Sequence, residues 1–115
     1  MRRVIIESPY AGDVARNKAY LQACIRDCLR RGETPYASHQ MLTDALDDSD
    51  PEQRKQGIEA GYEWWAAADE LVFCLDEGWS DGMRKAERLA QETEMPHDYR
   101  YLGKDWASDG PEVEP

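Results

Sequence analysis

Ser80-Asp81-Gly82-Met83 is the segment whose residue types and spacing come nearest to chemistry. It follows the apolar run Leu71-Val72-Phe73-Cys74-Leu75, which reads as a buried strand, and it opens a helical pattern from Met83 to Leu89 and Ala90. In a parallel α/β sheet such a junction lies at the carboxyl end of a strand, where ligands bind. The unpaired N–H groups at a helix start favour an anion, and a glycine there lets the anion approach the backbone. Ser80 can cap the helix and still offer its hydroxyl, and Trp79 before it can line a pocket or act as a lid. The tetrad is suited to a phosphate or a carboxylate; an ordinary cap and tight turn is the plainer reading.

Other candidates cluster at the ends of neighbouring strands. Ser8, Pro9 and Tyr10 follow the β-branched run Arg3-Val4-Ile5-Ile6-Glu7 and would face the same crevice, where Tyr10 could stack on a base or bond a sugar. His39 follows a second, weaker strand and is a candidate acid, base or phosphate donor, since imidazole titrates near neutral pH. A loop histidine without an identifiable partner is the plainer alternative. Asp44, Asp47, Asp48 and Asp50 lack the glycine and closing glutamate of a calcium loop and read as a solvated acidic stretch. Cys24 and Cys28 lie one helical turn apart with no further ligand beside them, so they read as core. No metal and no cofactor is expected.

The elements that must position these residues are legible in outline. After the first strand, Asp13 caps a helix that runs to about Arg31 and ends at Gly32, with an apolar stripe of Leu21, Cys24, Ile25, Cys28 and Leu29. Pro35 to Ser38 reads as the second strand, and His39 to Asp50 as a long connection with a helical turn at Met41 to Leu46. Asp50 caps the next helix with Pro51 at its first position. That helix carries Ile58, Tyr62, Trp65 and Ala66 on one face and ends near Asp69. Trp64 and Trp65 are adjacent, so one must face away from the core. A fourth strand is expected over His97 to Leu102, and a loose, flexible acidic tail over 104–115, from which Trp106 could dock. The order βα, βα, βα, β predicts an α/β fold, three-layer and Rossmann-like with flavodoxin-like winding. Its sheet would be small and mostly parallel, with four or five strands.

Composition narrows the function classes. The 115 residues suffice for one core, here a domain over 1–103. A formal net charge of −10 argues against a nucleic-acid polymer as partner, because phosphate backbones reward a basic stripe. It leaves room for a small phosphorylated ligand, which responds to a local site. No apolar run approaches the roughly 20 residues of a membrane span. Met1-Arg2-Arg3 leads straight into a strand, and the three cysteines follow no disulfide spacing, so a cytoplasmic protein with reduced thiols is expected.

Four landmarks occur in order: the opening strand with Ser8-Pro9-Tyr10-Ala11-Gly12, then Asp47-Asp48-Ser49-Asp50-Pro51-Glu52, Ala68-Asp69-Glu70-Leu71, and Ser80-x-Gly82-Met83. Together they resemble a small phage and bacterial domain of unknown function, which in turn resembles the nucleoside 2-deoxyribosyltransferase and nucleotide N-hydrolase superfamily. The resemblance implies that the loop after the first strand shapes a base and sugar pocket and that Ser80-x-Gly82 binds the 5′ side of a nucleotide. It implies a glutamate four residues past the glycine, at the anomeric carbon. In this chain that position is Ala86, and the nearest carboxylate is Glu87, about 100° further around a helix. A supporting aspartate of the hydrolases falls near Gly61.

The resulting expectation is a domain that binds a nucleotide or nucleoside phosphate through Ser8, Pro9, Tyr10, His39, Ser80, Gly82 and Met83. If it is an N-glycosidase or deoxyribosyltransferase, Glu87 is the catalytic candidate. The resemblance is compatible with a homodimer. The alternative is a small acidic phage-type accessory protein that acts by protein–protein interaction with a host protein, suggested by the charge, the tail and Trp64-Trp65.

Overall fold

Val4-Ile5-Ile6 and Leu71-Val72-Phe73 form the two central strands of the domain. The computed structural model describes residues 1–47 and 49–108, without the side chains of residues 38–40 and 43. β1 (Arg3–Glu7) pairs in parallel with β3 (Glu70–Cys74), in a register running from Val4 opposite Glu70 to Glu7 opposite Phe73. β2 (Thr34–Tyr36) adds to the free side of β1, and β4 (His97–Arg100) to that of β3. The sheet is therefore all-parallel in the order β2-β1-β3-β4, as the alternation of strands and helices predicts. The winding reverses between β1 and β3.

Both faces of the sheet are covered, which is why its central strands read as continuous apolar runs. Val4, Ile6, Val72 and Cys74 pack on one face against Tyr20, Leu21, Cys24 and Cys28 of α1 (Val14–Arg30). Ile5, Leu71 and Phe73 pack on the other face against Trp65, Met83, Ala86 and Ala90. These belong to the turn after α3 (Pro51–Glu63) and to α4 (Asp81–Glu92). Asp13, Asp50 and Ser80 cap α1, α3 and α4 with their side chains, and Gly32 leaves α1 at φ +79°. The three cysteines are buried and free, and burial pushes the Cys28 thiol up to about 12.

Several local expectations are corrected. The helical turn at Met41 to Leu46 is a full helix, α2 (Ser38–Ala45), and the second strand accordingly stops at Tyr36. α2 has no side-chain cap; it is held by packing on α3, where Gly57 brings the chain within reach of Leu46 and Leu42. Leu29 is 56% exposed and leaves the buried stripe, which runs instead through Asn17, Tyr20, Leu21, Cys24 and Cys28. The tightening of α3 into a 3₁₀ turn at Trp64–Ala67 buries Trp65 and leaves Trp64 and Ala66 outside. β4 ends at Arg100 because the next N–H groups turn away to a carboxylate: Leu102 and Gly103 donate to Asp76 at 2.8 and 3.0 Å. Tyr20 also donates to Asp76, at 2.5 Å, and Trp106 docks edge-on against Tyr20. Burial alone would raise the Asp76 carboxyl, but these hydrogen bonds outweigh it and hold it below its ordinary value. Of the acidic tail, residues 109–115 lie outside the described residues, as does Asp48. Among the described residues no helix is long and apolar enough to cross a membrane.

The two edges of the sheet are joined by a buried ion pair. Arg100 of β4 donates two hydrogen bonds of 2.6 Å to Glu33, which precedes β2, and both side chains are more than nine-tenths buried. The paired guanidinium holds Glu33 below the usual carboxylate range despite its burial. Glu33→Ala should cost about 3–5 kcal/mol in urea unfolding, since it strips a buried cation of its two short hydrogen bonds and leaves it only the longer contacts to Glu70 and Asp98, at 3.7 and 3.9 Å. The double variant Glu33→Leu/Arg100→Met should recover most of that loss; recovery of none would show that the pair itself, not its imbalance, sets stability.

Candidate functional site

The reversal of winding between β1 and β3 opens a crevice at their carboxyl ends, and there a cavity of about 390 Å³ lies between α3, α4 and α2. That volume is within the range of small-molecule sites. Its floor is the end of β1, with Glu7 and Ser8. Tyr10 and Ala11 of the β1–α1 loop form one side, Leu42 and Leu46 the roof, and Tyr62 and Trp65 an aromatic corner. The space exists because the helix walls are bare: Gly57 and Gly61 on α3, Gly82 and Ala86 on α4. Arg54 and Lys85 line the same cavity.

The loop is fixed from α1. Asn17 donates from Nδ2 to the carbonyls of Tyr10 and Ala11 at 3.0 and 2.9 Å. The Tyr10 hydroxyl donates to Asp44 of α2 at 3.3 Å, and Lys18 pairs with the same carboxylate at 3.1 Å, tying the roof to the loop. At the opposite wall, Ser80 Oγ accepts from the Met83 N–H at 3.2 Å, and the Arg84 N–H bonds to the Ser80 carbonyl. The N–H groups of Asp81 and Gly82 have no acceptor among the described residues. A Cβ on Gly82 would meet nothing nearer than Ser80 Oγ at 3.9 Å, so the glycine is not required by packing.

Of the residues singled out from sequence, Ser8, Tyr10, Ser80, Gly82 and Met83 come together on this cavity. Pro9 is buried beside it and does not line it. His39 falls in the first turn of α2, and its side chain lies outside the described residues. Glu87 is elsewhere: its carboxylate accepts from the Tyr99 hydroxyl at 2.7 Å, toward β4, while Ala86 is the residue of that pair on the cavity wall. Trp79 packs at a tilt against Phe73 at 5.4 Å beneath Arg84 and is not part of the lining.

The carboxyl that sequence reasoning overlooked is Glu7. Strand alternation puts it on the same face as Ile5, toward α3 and α4, and no described residue hydrogen-bonds or pairs with it. Burial pushes it up to about 8, and Tyr62, also raised by burial, is raised further by Glu7 beside it. At neutral pH this carboxyl is mostly protonated, able both to donate and to accept. The signal was available: a charged residue closing a strand whose two faces are both buried has to point into something.

Over residues 2–100 the chain matches the family described as "Domain of unknown function (DUF7768)", and it belongs to that family. No curated protein matches it.

The Glu7 shift has a direct consequence for stability. The folded chain holds a proton that the unfolded chain, at the ordinary 4.5, releases, so ionisation increasingly favours unfolding as pH rises from 4.5 toward 8. Glu7→Gln should therefore stabilise, by at most about 1.4 kcal/mol per pH unit across that window and not at all below about pH 4. A gain independent of pH would mean that Glu7 is not held protonated by its site.

Proposed function

We propose that this member of the family binds a nucleotide or nucleoside phosphate in the β1/β3 cavity. The reading would make it a diverged relative of the nucleoside 2-deoxyribosyltransferases and nucleotide N-hydrolases. The observation that carries it is that one cavity is lined by two kinds of group. The open first turn of α4 at Ser80 to Gly82, with Lys85 on the same helix, is suited to a phosphate. Tyr62 and Trp65, whose rings meet edge-on at 5.1 Å, are suited to the flat, apolar face of a base.

The glycosidic chemistry of the resembled enzymes is altered or lost in this reading. The position that the resemblance gives to glutamate is the methyl of Ala86. Glu7 and Asp81 are the carboxyl groups among the described lining residues, and Glu7 enters from the opposite strand. A protonated acid is a poor nucleophile, so covalent catalysis by Glu7 at neutral pH is disfavoured.

A second reading, a protein-docking domain, is favoured by Trp64. It is half exposed and its ring lies tilted against that of Tyr36 at 5.1 Å, next to Met41, which is 51% exposed. Loss of a host complex on Trp64→Ala, with Gly82→Ala without effect, would support that reading over the first.

The nucleotide reading is tested by thermal shift against nucleoside monophosphates, with free bases and inorganic phosphate as controls. Only molecules carrying both base and phosphate should stabilise, by about 2.7 kcal/mol at a hundredfold excess over Kd. Gly82→Ala should fold as well as the wild type yet weaken binding by about tenfold or more, because its methyl occupies the approach to the free N–H groups. A flat panel at millimolar ligand would reject the proposal.

A further inference from the structure

The cavity contains a carboxyl group whose environment the proposed phosphate site does not explain. Glu7 closes a central strand, faces the cavity beside Tyr62, and has no hydrogen-bond or ion-pair partner among the described residues. A buried polar group without a partner is costly unless a ligand satisfies it. The contrast within the same molecule is Glu33, which is more fully covered and is gripped by Arg100, whereas Glu7 is partly buried and opens onto the cavity. Tyr62, beside Glu7, is one of the rings against which the proposed nucleotide would place its base.

We infer that Glu7 reads the base, donating from one carboxyl oxygen to a ring nitrogen and accepting at the other from the adjacent exocyclic amino group. This rests on the nucleotide reading and deepens it. Adenine presents such an edge, with N1 as acceptor and the 6-amino group as donor, and cytosine presents the same pair. An ionised carboxylate is an acceptor only. It would repel the adenine N1 lone pair, whereas guanine offers two adjacent donors, its N1–H and 2-amino group, that a carboxylate can take together. Guanine can also pair with the neutral acid through N1–H and O6. Adenine binding therefore requires the proton on Glu7, and guanine binding does not.

The proton is supplied by the site itself, because burial pushes Glu7 up to about 8. Among the described residues, the other titratable and charged side chains facing the cavity are Tyr10 from the loop, Arg54 and Tyr62 from α3, and Asp81 and Lys85 from α4. From α2 the described lining is apolar, Leu42 and Leu46. None of these changes the donor and acceptor inventory opposite the base edge as Glu7 does when it ionises.

The test is calorimetric titration of adenosine and guanosine 5′-monophosphates from about pH 6.5 to about pH 8.8, with wild type and Glu7→Gln. The two ligands carry the same phosphate, so their ratio cancels its titration. The adenine-to-guanine Kd ratio should rise about sevenfold across the range in the wild type. In Glu7→Gln, whose amide always donates and accepts, the ratio should stay flat and adenine should bind about as well as to the wild type at the low end. Parallel profiles in the wild type would overturn the role of Glu7 and leave the nucleotide reading standing. Absence of binding by both nucleotides at every pH would overturn both. A Glu7→Gln ratio that still rises with pH would assign the titration to another group and would likewise overturn the inference.

Discussion

Parallel pairing of β1 with β3 is the constraint on which the rest of the domain depends. It sets Glu7 opposite Phe73, so that the loop leaving β1 and the loop leaving β3 emerge side by side at the same end of the sheet. Because the next strands add outward on opposite sides, the connections diverge there and leave a crevice, which α2 of the β2–β3 connection roofs. Asn17 and Asp76 then fix the two loops from below. Asn17 does so through the carbonyls of Tyr10 and Ala11, and Asp76 through Tyr20 and the backbone after β4. The site is thus a by-product of sheet topology, trimmed by two side-chain clamps.

What makes the crevice a cavity is the removal of side chains from its walls. Gly57 and Gly61 sit within α3, where each glycine costs about 1 kcal/mol relative to alanine. With α2 resting on Gly57, the roof lies close, and with Ala86 facing inward the α4 wall contributes only a methyl. Glu33 and Glu7 show how differently the same side chain is treated. Glu33 is satisfied by a guanidinium and serves the fold; Glu7 is left unsatisfied, an arrangement that lowers stability near neutral pH. Domains keep such unfavourable groups where function asks for them.

Much of this was legible in the sequence. The β-branched run at 3–7, the apolar run at 71–75 and the caps Asp13, Asp50-Pro51 and Ser80 carry strong local signals, and the structure follows them to within a residue. α2 was not legible, because its stability comes from packing on a glycine of another helix and not from a cap of its own. Trp65 could be assigned to the core but not the manner, since the 3₁₀ tightening that separates it from Trp64 answers to tertiary contacts. At the site, Ser8, Tyr10, Ser80 and Gly82, all singled out by their place at strand ends, line one cavity. Glu7 was missed for a plain reason: a carboxylate at the end of a strand looks like a solvated terminus until both sheet faces are known to be covered.

The measurement that bears most directly on the account is a map of backbone amide chemical shifts as a nucleoside monophosphate is titrated into the isotope-labelled protein. The account predicts saturable shifts concentrated in Ser8 to Ala11 and Ser80 to Met83, with the amides around Tyr36 and Trp64 unmoved. Shifts centred on Tyr36 and Trp64, or none at millimolar nucleotide, would contradict it.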